Sequence, residues 1–89
     1  MKLHRYWITF EGVSFTTYRQ LLMGCGVTAL TPEDALFIIQ KKMLDNEEPP
    51  PVKEMIVDVD VSTLDSNHIL PNIRGNVTAR GIWFPGGFQ

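Results

Sequence analysis

Three aspartates and a histidine crowd one stretch of this chain, "DVDVSTLDSNHILPNIRG", residues 58–75. On an extended strand, side chains two apart share a face at about 7 Å. Asp58 and Asp60 would then point the same way. Paired carboxylates at that separation suit oxygen ligation of Mg²⁺ or Ca²⁺, or an acid–base pair around a water. Asp65 and His68 follow closely enough to add a ligand or a base. Arg74 or Arg80 would stabilise an anionic substrate. This reading makes the chain a metal-dependent hydrolase or metal-binding protein. Asp58, Asp60, Asp65, His68 and Arg80 are its catalytic candidates, and Asp58, Asp60 and His68 its metal ligands.

A simpler account covers the same residues. Asp58 and Asp60 alternate with Val57, Val59 and Val61, as on the solvent face of a half-buried strand. Ser62-Thr63-Leu64-Asp65 has the spacing of a capping box. Ser66-Asn67 is turn chemistry, and His68 falls in a loop. Arg80 has the parity to face the aspartates if the last two strands pair. The acidic spacing fits no defined metal motif; an EF-hand, for example, needs alternating oxygen ligands and a closing glutamate. The simpler account is preferred, so neither a catalytic residue nor a cofactor is assigned.

Cys25 is the sole cysteine. It excludes an intramolecular disulfide and a cysteine-based zinc site within one chain. Between two glycines and ahead of "VTAL", it reads as a small buried residue rather than a nucleophile. Gly24 and Gly26 on either side of it point to a bulge or a tight backbone approach.

The aromatics offer a different chemistry. Phe37, Trp83, Phe84 and Phe88 are candidates for a contact surface, because such side chains are enriched at interface centres.

Positioning these residues takes a small scaffold. The chain of 89 residues makes one domain, 1–89. Hydrophobic residues are 44% and charged residues 20%, as in ordinary globular proteins. Eight basic and ten acidic side chains leave a net charge of −2, which gives no electrostatic reason to expect nucleic acid. No signal-peptide core and no apolar run of about 18 residues is present, so no membrane partner is expected and the location reads as cytoplasmic.

"LHRYWITF", 3–10, reads as a strand with His4, Tyr6, Ile8 and Phe10 on the more apolar face. "CGVTAL", 25–30, is a second. "TPEDALFIIQKKML" is a helix over 32–44: Thr31 caps it, Pro32 starts it, Glu33 and Asp34 suit its positive end, and Lys41 and Lys42 its negative end. Ala35, Leu36, Ile39 and Met43 form its core stripe, while Phe37 and Leu44 fall off it. "DNEEPPP", 45–51, ends the helix, and its three prolines stiffen the connection. "VKEMIVDVDV" and "VTARGIWF", 77–84, complete the strands, and 85–89 forms a flexible tail.

The order β-β-α-β-β predicts an α+β fold, a small mainly antiparallel sheet with one amphipathic helix on one face. The other face should be solvated or paired with a second subunit. The function expected is that of a non-enzymatic protein-interaction or regulatory module. Its partner would be another protein or itself, as a homodimer through the sheet edge or outer face.

Overall fold

The computed structural model describes residues 2–88. It is an α+β fold: four antiparallel strands and one helix, in the chain order β1 (His4–Phe10), β2 (Cys25–Ala29), α1 (Pro32–Met43), β3 (Val52–Val57) and β4 (Gly81–Phe84). Across the sheet the order is β3-β1-β2-β4. The last two strands therefore lie at opposite edges and do not pair.

Helix α1 starts as its sequence dictates. Thr31 Oγ1 accepts the Asp34 N–H at 3.0 Å, and Asp34 Oδ2 accepts the Leu30 N–H at 3.0 Å. Beyond the helix end at Met43, Asp45 and Asn46 are both in the left-handed region, and the Asn46 N–H reaches back to the Gln40 carbonyl. Ala35, Ile38, Ile39 and Met43 are buried against Tyr6, Ile8, Phe10, Val27 and Ile82. Leu36 is half-buried. Leu44 joins this core, although the helical stripe left it outside; Phe37 stays half-exposed. Phe88 packs against the same cluster. Gln89 lies outside the described residues.

The second face of the sheet is neither solvated nor open for a subunit along its length. Trp7, Trp83 and Phe84 form a second core with Val59 and Ile69, and Val61, Leu64, Ile73 and Val77 pack on it. All but the three aromatics come from segment 58–80, the stretch that held the candidate catalytic residues. Loops beyond about 12–15 residues are uncommon unless they have a task, and the task here is to cover a sheet face.

A bulge in β4 makes this core. Val27 pairs with Ile82 but Gly26 with Phe84, so Trp83 is the extra residue. The inserted residue lets Trp83 and Phe84 both join the second core while Ile82 joins the first. Gly26 lies between Trp7 on β1 and Phe84 on β4, and the Trp83 ring lies over its missing side chain. This is the tight approach that the Gly24-Cys25-Gly26 spacing predicts.

Candidate functional site

Segment 58–80 dissolves the carboxylate pair of the sequence reading. Strand β3 stops at Val57, and Asp58 has φ 56°, a left-handed conformation that ends the alternation. Asp58 Oδ1 meets His4 Nδ1 at 2.8 Å, across the edge of β1. Asp60 turns to its own backbone. Its Oδ1 accepts the Ser62 N–H at 3.0 Å and the Ser62 hydroxyl at 2.7 Å, capping the short 3-10 turn Val61–Thr63. Those bonds hold the Asp60 carboxyl below its ordinary range, the Ser62 hydroxyl first.

Asp65 does the same one turn on. It accepts the Asn67 N–H at 2.8 Å and meets His68 Nδ1 at 3.0 Å. The Asn67 N–H, then His68, lower its pKa. Ser62 is thus not the cap of a box closed by Asp65; Asp60 and Asp65 each cap a separate turn. Asn72 donates to the His68 carbonyl, and Asn76 accepts from the Thr78 N–H and hydroxyl. The polar residues of the segment tie down its backbone while its valines and isoleucines face the sheet. Among the described residues, no group of three His, Cys, Asp or Glu side chains could hold a metal ion.

Arg80 does not face Asp58 or Asp60. Its guanidinium pairs with Asp34 at the start of α1, with Nε donating to Asp34 Oδ2 at 3.0 Å and Nη2 to Oδ1. The cause is the sheet order, which puts the segment before β4 beside β2 and the helix that follows it. Arg80, then the Leu30 N–H, hold Asp34 below the carboxylate range. A depressed carboxyl lends stability that is present above its unfolded pKa and is lost as pH falls through the folded one. Melting temperature should therefore fall on acidification from about pH 5 to about pH 2, and Asp34→Asn should flatten part of that fall. An unchanged acid limb in the variant would show the pair to be idle.

Cys25 is fully buried, and desolvation raises its thiol far out of the nucleophilic range. Its Sγ lies 3.7 Å from Met43 Sδ, as a packing contact. Of the aromatic candidates, Trp83 and Phe84 are core residues, at 1% and 4% exposure, with Phe84 also at the rim of the core. Phe37 stands half-exposed on α1 with the Lys41 ammonium 5.6 Å above its ring. Phe88 is half-buried.

Two further exposed features stand out among the described residues: a sheet edge, which the sequence analysis named as a class without its residues, and a groove that takes in its candidates Phe84, Phe88, His68 and Arg74 around Met23, which it did not single out. Strand β3 has one neighbour, and Val52, Ile56 and Val57 on it are exposed. By contrast, the edge of β4 is bridged where the Arg74 N–H reaches the Trp83 carbonyl. Lys53 and Glu54 beside three prolines were the available signal, since charges and prolines gather at sheet edges.

The second feature is a groove around Met23, an exposed methionine in the turn before β2. A hollow of about 420 Å³ lies among Arg19, Gln20, Met23, Phe84, Pro85 and Phe88. A neighbouring hollow of about 610 Å³ shares Met23, Phe84 and Pro85 and adds His68, Asn72 and Arg74. On the far side of Met23, a third is walled by Thr9, Glu11, Lys53 and Glu54. The groove opens where segment 58–80 stops covering the sheet. No helix among the described residues is long and apolar enough to cross a membrane. In comparisons with known proteins, the chain matches no family model, no curated protein and no solved structure.

Proposed function

We propose that this protein is a small non-enzymatic interaction module that associates with a second copy of itself by strand addition at β3. One observation carries the reading: β3 is an unpaired edge with exposed Val52, Ile56 and Val57, whereas the β4 edge is bridged by its own loop. An edge of unpaired N–H and C=O groups is a template for another strand.

Charge selects the register. A two-fold axis through an antiparallel pair sets residues opposite one another symmetrically about its centre. A centre at Lys53 or Glu54 opposes like charges directly, and centres at Ile56 or Val57 set Glu54 against Asp58 or Asp60. A centre at Val52 avoids like charges but sets Lys53 and Glu54 against Pro51 and Pro50, which have no N–H to give to the ladder; a centre at Met55 places Lys53 opposite Val57 and Glu54 opposite Ile56, with no like-charged pair. Two sheets would then join into one.

Size-exclusion chromatography with light scattering tests this through two substitutions at one exposed position. The wild type should be dimeric at high concentration. Val57→Lys, which would face Lys53 of the other copy, should be monomeric. Val57→Glu, which would face the same lysine, should dimerise more tightly than Val57→Lys. A wild type that stays monomeric removes the proposal, as do two variants that behave alike.

A further inference from the structure

The groove around Met23 has a charge of its own. The chain as a whole is acidic, yet the two hollows that share Met23, Phe84 and Pro85 are lined by Arg19, Arg74 and His68 and, among the described residues, by no carboxylate. His68 is partly offset by Asp65 behind it. Among the described residues, neither arginine has a carboxylate partner. The carboxylates of the described residues that form ion pairs do so with His4, His68 and Arg80. Arg19 instead lies over the exposed Phe15 ring, 5.9 Å from its centroid. Arg74 is held in place: its Nη1 donates to the Pro71 and Ile73 carbonyls, both at 3.1 Å, and its Cγ lies so near Gly86 that a Cβ there would come to 2.8 Å. A fixed guanidinium loses little further entropy when it receives an anion.

Between the two arginines the floor is apolar, made by Met23, Phe84, Pro85 and Phe88. Methionine is unbranched and polarisable, and it adapts to varied apolar partners. Arg19 borders one hollow and Arg74 the other, so the cations flank an extended apolar trough rather than converge on one point. That pattern fits a chain with acids on either side of an apolar side chain better than a compact anion. Beyond Met23, the third hollow is bordered by Glu11, Glu54 and Lys53, a net negative lining that favours an acidic chain less than the two basic hollows do.

We infer that this groove is a docking site for an acidic peptide segment with an apolar anchor residue. The anchor side chain enters beside Met23, and flanking carboxylates receive the guanidinium groups of Arg19 and Arg74. The site is separate from the β3 edge and does not depend on self-association.

The test is an amide NMR titration of the full ¹⁵N-labelled chain with three probes: a synthetic peptide of alternating Glu and Leu, its counterpart of alternating Lys and Leu, and an oligothymidylate. The acidic peptide alone should give saturable shifts, centred on residues 19–23, 74 and 84–88, that weaken as salt rises. Arg19→Glu, a change at an exposed side chain, should weaken its binding by at least roughly tenfold while leaving the rest of the spectrum in place. Equal shifts with the basic peptide would reduce the groove to a non-specific apolar patch. Stronger shifts with the oligothymidylate would make phosphate the ligand. No shift at about 1 mM acidic peptide would end the proposal. Repeating the titration on Val57→Lys keeps this outcome apart from that of the dimer.

Discussion

Trp83→Ala should cost about 3–5 kcal/mol, the range for deleting a buried indole. At about 0.05–0.15 kcal/mol per residue, that is a large share of what a chain of this size has. Three losses coincide. The ring is 1% exposed and packs 6.1 Å from the Trp7 ring, so its removal empties the centre of the second core. Its Nε1–H donates to Thr28 Oγ1, and Thr28 in turn donates to the Val77 carbonyl. That chain of bonds fastens segment 58–80 to the sheet. With the ring gone, Val59, Ile69 and their half-buried neighbours lose the surface they cover. Urea denaturation followed by circular dichroism measures the cost. Trp83→Phe, which keeps most of the apolar volume but not the N–H, should lose less. A loss below about 1 kcal/mol for the alanine variant would mean that the cover holds without its anchor.

The second large effect comes from adding one carbon rather than removing many. A Cβ on Gly26 would lie 2.3 Å from Trp83 Cζ3 and 2.4 Å from Cη2, inside any real contact distance. Either the indole or the bulged strand must move. Overpacking of a filled core costs about 1–3 kcal/mol and sometimes more. Gly26→Ala should fall at the upper end, because the obstructed group is a ring pinned by its own hydrogen bond. The signature is non-additivity. In the double variant Gly26→Ala/Trp83→Leu the clash is relieved, so the combined loss should be smaller than the sum by an amount beyond the usual few tenths of a kcal/mol. Additive losses would show that Gly26 matters for its backbone and not for the room it leaves.

Both predictions concern contacts across the sheet, and such contacts separate what was legible in the chain from what was not. The start of α1 was legible residue by residue. Thr31, Pro32 and Asp34 act within one turn: the Thr31 cap is found as predicted, while the Asp34 side chain reaches back one residue further, to the Leu30 N–H. The α+β class and the order of elements followed from periodicity, which is also local. The glycine pair at 24 and 26 announced a close approach, without saying that Trp83 would make it.

The acidic stretch shows where local logic ends. Alternation of valine and aspartate promised a strand through residue 61, and a strand would have aligned Asp58 with Asp60. Instead the chain leaves the sheet at Asp58, and each aspartate turns to cap its own neighbours. Nothing in the stretch itself distinguishes the outcomes, because a valine buried in a strand and one buried in a covering loop look alike in sequence. Trp83 and Phe84 were placed on a contact surface for the same reason: an aromatic residue carries no mark of whether its ring will be covered.

The sequence by itself determined the helix, its N-terminal cap, the buried cysteine and the order of the elements, because each rests on neighbours within a turn or on a simple period. Only the tertiary structure decided that β3 and β4 take opposite edges, that Arg80 goes to Asp34, and that segment 58–80 lies over the indoles. It alone left the β3 edge and the Met23 groove uncovered. Those outcomes depend on which distant surfaces compete for the same apolar area, and that competition is settled by packing the whole chain at once.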